Sequence, residues 1–185
     1  MIKLRIAEAR DASGIAAVHI DTWRDTYAGV FPVEVFRRMT QRRIGAQWAH
    51  ALAARTETVI VADHADAGIV GFGSCGRAKG VDLPYRGEVY TLYVHPDFQG
   101  QAVGRRLLAG LFGALAGKGH GSALIWVLAQ NPARFFYQAM GGALIAERRE
   151  RLWGVGLREA AYGWNDVQAA IPRIAHDATS RPGSD

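Results

Sequence analysis

The residues best equipped for chemistry lie in one stretch, Tyr90-Thr-Leu-Tyr-Val-His-Pro-Asp-Phe-Gln-Gly-Gln-Ala-Val-Gly-Arg-Arg-Leu-Leu. A strand pattern runs from Glu88 to His95 and is stopped by Pro96. A glycine-bearing loop from Gln99 to Gly104 then feeds a helix pattern over Val103 to Ala116. The first turn of a helix leaves backbone N–H groups without carbonyl partners, and the macrodipole adds partial positive charge there. Gly100 and Gly104 let the backbone approach a ligand, so the junction suits phosphate groups. Arg105 and Arg106 can add charge-assisted bonds. It is not a Walker A loop, because Arg-Arg follows Gly104 in place of Lys-Ser/Thr. On the residues alone, an ordinary strand-to-helix turn with two glycines is an equally good reading.

Other signals are weaker. Gly71-Phe-Gly73-Ser-Cys-Gly76 matches the dinucleotide string GxGxxG, but no helix pattern follows it, so close backbone approach within a strand is the better reading. The six histidines, among them His95, show no metal-ligand spacing, and no metal is expected. A single cysteine, Cys75, excludes an internal disulfide and a cysteine zinc cage, and reads as a buried thiol.

These residues need a scaffold. Ile2 to Ala7 alternates as a strand. Asp11 is a candidate helix cap before Ile15, Val18, Thr22 and Trp23, and Gly29 and Pro32 break that helix. Two shorter helices follow, the second capped by Thr40. Thr58 to Ala62 and Ile69 to Cys75 form a hairpin, and Gly80 to Gly87 is a loop. Glu88, Tyr90, Leu92 and Val94 are expected on one face of the next strand, and Val89, Thr91 and Tyr93 on the other. The apolar run Ala123 to Leu128 is a central strand. A helix capped by Asn131 runs to Met140, and Ala143 to Arg149 with Arg158 to Trp164 closes the chain as a hairpin. One domain is expected over 1–168, with a polar, frayed tail over 169–185. The fold class is mixed α/β, with antiparallel hairpins and one strand-helix-strand crossover.

Composition bounds the partners. The 185 residues can bury a real core. The net charge of +5 comes from scattered arginines, which speaks against nucleic acid. No secretory leader pattern opens the sequence, and no apolar run is long enough to span a bilayer, so a cytoplasmic protein without membrane contact is expected.

The loop Gln99-Gly-Gln-Ala-Val-Gly104 resembles the Q/R-x-x-G-x-G/A pyrophosphate loop of the GNAT superfamily of acyl-CoA N-acyltransferases. Asn131-Pro-Ala-Arg-Phe-Phe-Tyr137-Gln-Ala-Met-Gly-Gly142 is similar to a second segment of that family, and the opening Ile2 to Asp11 to a third. Val18-His-x-x-x-Trp23-Arg-Asp-Thr-Tyr27-Ala-Gly29 resembles one bacterial branch, so the likeness covers about residues 2–168. Two positions depart: Ala102 stands where the first glycine of the G-x-G pair is usual, and Arg134 where alanine is usual. Tighter packing without loss of binding is expected at Ala102.

The resemblance implies a mostly antiparallel sheet of about six or seven strands, helices on both faces, and a splay between the fourth and fifth strands. It implies acetyl-CoA as cosubstrate and a small-molecule or peptide amine as acceptor, with a homodimer common among relatives. Leu92, Tyr93 and Val94 would bind pantetheine, and the stretch Gln99, Gly100, Gln101, Ala102, Val103, Gly104 and Arg105 the pyrophosphate. Asn131 would reach the pantetheine arm, though the same side chain is also the candidate cap. Glu88 would be the base, with His95 in reserve, Tyr137 the acid, and the Val94 N–H the oxyanion donor. Trp23, Tyr27, Phe31 and Tyr90 would face the acceptor, and Asp21 and Asp25 would attract a cationic amine. The rivals are a transferase for a longer acyl-CoA and a non-catalytic acyl-CoA-binding module.

Overall fold

The computed structural model describes residues 1–79 and 83–176. The elements are β1 (Ile2–Ile6), α1 (Ala12–Tyr27), α2 (Val33–Arg38), α3 (Gln41–Ala54), β2 (Thr58–His64), β3 (Gly68–Arg77), β4 (Gly87–Val94), α4 (Val103–Gly117), β5 (Ala123–Leu128), α5 (Ala133–Ala139), β6 (Ala143–Leu152), β7 (Val155–Trp164) and α6 (Val167–His176). The strands form one seven-stranded sheet in the order β1-β2-β3-β4-β5-β7-β6. The β4-β5 pair is parallel and the rest are antiparallel. This is the mixed α/β architecture expected from the sequence.

Each face of the sheet carries its own core. On one side α4 buries Leu107, Leu108, Leu111, Phe112 and Leu115 completely. Each such side chain stabilises the fold by about 1.5–3 kcal/mol relative to exposure. The GxGxxG string lies in β3 and lets the helix come this close. A Cβ at Gly73 would sit 2.6 Å from Leu111 Cδ1 and 3.0 Å from the Thr91 carbonyl oxygen. On the other side α1 and α3 cover Val59, Val61 and Phe72.

Two boundaries differ from the sequence pattern. The closing hairpin is longer, because Trp153 and Gly154 form its turn with φ of 53° and 80°, and Leu152 pairs with Val155. Both central residues at positive φ match the tight turns that suit twisted strands. The stretch from 169, expected as the start of a polar tail, is helical as far as His176. Val167, Ala170 and Ile174 make a buried stripe on α6 that packs against the α4 core, while 177–185 lie outside the described residues. The expected 80–87 loop also falls partly outside them. Among the described residues no helix is long and apolar enough to cross a membrane.

Asp11 does not cap α1 as expected. Its carboxylate accepts from the Glu8 N–H at 2.7 Å and from Arg5 at 2.7 and 2.8 Å, and Arg5 also reaches Asp63 at 2.9 Å. This clamp ties β1 to β2 and to the start of α1. The Arg5 hydrogen bond holds the Asp11 carboxyl below its ordinary 3.8, against the opposing effect of burial. A depressed pKa means the stabilisation is fully present above 3.8 and is lost as pH falls through the lower folded value. Asp11→Asn is expected to cost roughly 1–3 kcal/mol at pH 7 in urea unfolding. The gap to the wild-type protein should narrow below pH 4.

Candidate functional site

The site begins with a parting of strands. β4 pairs with β3 along its whole length but meets β5 only at Gly87↔Ala123 and Glu88↔Leu124. The cause is one extra residue. Cys75 pairs with Val89 and Ser74 with Thr91, so Tyr90 is a bulge, and a bulge increases local twist. β4 therefore swings away from β5 after Glu88. The bulge also breaks the expected alternation of side chains. Val89, Leu92 and Val94 pack on the α4 side and Tyr93 on the α1 side. Tyr90 folds its ring over Gly76, where a Cβ would stand 2.6 Å from its hydroxyl, and Lys79 Nζ lies 3.6 Å from the ring centre.

The parting exposes backbone. The His95 N–H donates to the Val70 carbonyl on β3 at 2.9 Å. Main-chain groups alternate sides along a strand, so those of Leu92 and Val94 face the gap that β5 has left. The Val94 carbonyl there accepts from Gln99 Nε2 at 3.1 Å.

The loop after β4 is built on two left-handed residues, Gly100 at φ 73° and Ala102 at φ 59°. For Ala102 this conformation carries a cost, since an L-residue pays about 1–2 kcal/mol for it. The first bond across the helix start is donated by Arg106 to the Ala102 carbonyl at 3.0 Å. The amides of Val103 and Gly104 precede it at the positive end of α4. A Cβ on Gly104 would meet Val94 and Phe136 at an ordinary 3.6–3.7 Å, so the fold itself does not require glycine there. Arg105 lines the cleft and donates to the Ile174 carbonyl at 3.4 Å, while Arg106 is turned to the Ile2 carbonyl.

Gap, loop and helix end share one cleft of about 790 Å³, walled by α1 on one side and α5 on the other. Tyr137 of α5 is buried among Phe136, Tyr162 and Trp164, and burial pushes its hydroxyl pKa above the ordinary tyrosine value. Burial does the same for Tyr27 and Tyr93 in the same cleft. Asn131 is engaged at both ends of its amide. Its oxygen accepts from the Ala133 N–H, the capping role, and its nitrogen donates to the Tyr27 hydroxyl, each at 2.9 Å.

Most of the residues chosen from the sequence meet here: Leu92, Tyr93, Val94, Gln99, Gly100, Ala102, Val103, Gly104, Arg105, Asn131, Tyr137 and Tyr27 all line the cleft. Five do not. Gln101 bonds the Asp97 carbonyl instead. Trp23 and Phe31 stack on each other at 5.6 Å within the α1-side core. Tyr90 lies over Gly76, as described. Glu88 sits at the last β4-β5 pair, half-buried, and accepts from the Lys79 N–H at 2.8 Å. Burial raises its pKa, partly offset by that bond and by Lys79 and Arg148 nearby. Asp25, named to attract a cationic amine, lines the cleft, while the reserve base His95 does not and stands 3.7 Å from Asp21. Sequence reasoning passed over Thr22, Thr26 and Phe136. Thr22 and Thr26 stand at i and i+4 on the helix face that also carries Asp25, a spacing that could have marked them. Among the described residues no group of three or more His, Cys, Asp or Glu side chains is arranged to hold a metal ion.

Residues 55–141 match the family model of an acetyltransferase (GNAT) domain. The chain is 33% identical over 169 residues to the uncharacterized N-acetyltransferase YuaI of Bacillus subtilis, covering 91% of this chain and 96% of that one. A GCN5-related N-acetyltransferase structure from Rhodopseudomonas palustris aligns with TM-score 0.68 at 22% identity, over 87% of this chain and 93% of the other. The structure of yncA from Salmonella typhimurium with its cofactor acetyl-CoA aligns with TM-score 0.66 at 18% identity, over 100% and 99%.

The strained alanine yields a test. Ala102→Gly relieves the left-handed penalty, partly offset by the chain entropy that glycine returns to the unfolded state, so it should stabilise the protein by up to about 1 kcal/mol. Thermal unfolding checks this. A lower melting temperature for Ala102→Gly would mean that the methyl group makes a compensating contact.

Proposed function

The chain belongs to the GNAT acetyltransferase family, and on that premise we propose that it carries an acetyl group from acetyl-CoA to a primary amine of a small molecule or peptide. Transfer is direct, within a ternary complex. The observation that carries this reading is the opening of the strand gap onto the positive end of α4, within a single cleft. The amides of Val103 and Gly104, with Arg105, hold the pyrophosphate. Main-chain groups of Leu92 and Val94 take the place of the missing β5 ladder by bonding pantetheine.

The chemistry then needs a proton taken from the ammonium, a donor for the carbonyl oxygen, and a proton for the leaving thiolate. The amine nitrogen bonds to the carbonyl carbon as the C–S bond breaks. The Val94 N–H faces the developing oxyanion. Tyr137 gives its proton to the sulfur and regains one from solvent. Burial raises its pKa, so the resting hydroxyl carries the proton to be given. Glu88 lies outside the cleft lining, so its role as base runs through water, and burial brings its pKa closer to the working range.

Three substitutions separate these roles. Gly104→Glu places a carboxylate at the pyrophosphate position and should abolish acetyl-CoA binding in a folded protein, as read by calorimetry. Tyr137→Phe should lower turnover roughly tenfold to a thousandfold and leave acetyl-CoA affinity nearly unchanged. Wild-type turnover in that variant would reduce Tyr137 to a core aromatic. Glu88→Gln should slow the reaction most at neutral pH, where only about one alkyl amine in a thousand is the free base. As pH rises, solvent supplies the neutral amine and the variant should catch up. A loss uniform across pH would assign Glu88 an electrostatic role instead.

A further inference from the structure

Two phenols in the cleft have their hydrogen-bond polarity fixed by their partners. A backbone N–H can only donate, so the bond from Ala133 identifies the Asn131 atom facing it as the oxygen. The other end of that amide, which faces Tyr27 at 2.9 Å, is therefore the nitrogen, and Tyr27 Oη is an acceptor there. The indole N–H of Trp23 likewise donates to Tyr93 at 3.1 Å. Each phenol thus keeps its own proton for another partner. Among the described residues no bond from the Tyr27 hydroxyl to a protein acceptor is found, and Tyr27 lines the same cleft as Tyr137 and the open edge of β4.

We propose that Tyr27 is a catalytic residue of the acyl transfer, and that Asn131 positions it by accepting no proton from it. The Tyr27 O–H donates a hydrogen bond to the thioester carbonyl oxygen as negative charge develops there. No proton is transferred in this contact: the C–N bond forms, the C–S bond breaks, and the O–H hydrogen bond shortens and relaxes. This role replaces the acceptor-amine contact expected for Tyr27 from the sequence. Burial among apolar side chains suits it, because a hydrogen bond to a developing charge is stronger away from water. Its elevated pKa keeps the donor protonated. The proposal rests on the acyl-transfer reading above.

The test reverses the polarity at position 131. Tyr27→Phe removes only the hydroxyl and should lower kcat about tenfold to a thousandfold, with the acetyl-CoA Kd within about twofold of wild type. In Asn131→Asp one carboxylate oxygen still caps Ala133, so α5 keeps its start. The other oxygen now accepts, and draws the Tyr27 proton away from the cleft. Its kcat should fall as far as that of Tyr27→Phe, and the double variant should be no slower than either. Full activity in Asn131→Asp, or losses that multiply in the double variant, would overturn the role of Tyr27. So would an unchanged kcat in Tyr27→Phe beside an active wild-type enzyme. A wild-type protein that binds acetyl-CoA but acetylates no amine in a broad panel would overturn the acyl-transfer reading, and this role with it.

Discussion

The rest of the structure depends on β4 leaving β5 after a single pair beyond Gly87. A central strand in a sheet ordinarily has partners on both sides, and unpaired main-chain groups away from water are costly. Here the cost is met by geometry that leaves the gap open to a ligand. The Tyr90 bulge supplies the twist that separates the strands. α5 walls the opening, and Tyr137 comes with it into the cleft. The loop after β4 turns back at once, so the start of α4 faces the same opening.

Rigidity comes from the two cores. α4 is locked by five fully buried side chains, and the small residues of β3 let it lie close to the sheet. Its amide-bearing end is therefore fixed relative to the β4 edge, which is what an anion site needs in order to orient a long ligand. On the opposite face, α1 and the turn that follows it contribute to both the core and the cleft. Trp23 and Phe31 turn inward, while Thr22, Asp25, Thr26 and Tyr27 reach the cleft. The aromatic cluster thus sets where Tyr27 stands, and Asn131 sets which way its proton points.

Much of this was legible in the sequence, for local reasons. Pro96, Gly100 and Gly104 punctuate the strand-loop-helix passage, and the apolar run 123–128 marks a central strand. What was hidden depends on pairing or packing. The residues around Tyr90 are all good strand formers, so nothing local signals the bulge, and the faces of Leu92 and Val94 could not be assigned without β3. Trp23, Tyr27 and Phe31 share one chemistry and a helical neighbourhood, and only tertiary contacts decide that Tyr27 alone lines the cleft. Pro172 and the polar residues after it hid α6, although Val167, Ala170 and Ile174 already had helical spacing. The left-handed Ala102 was hidden too, since alanine is ordinarily a helix former.

The proposed function requires that the open β4 edge and the start of α4 form one acyl-CoA site. Backbone amide NMR during titration with CoA tests it residue by residue. The largest shifts are expected at Leu92, Val94, Gly100, Val103 and Gly104, saturating together with one Kd. Shifts confined to another surface, or saturation at Leu92 and Val94 without Val103 and Gly104, would contradict it.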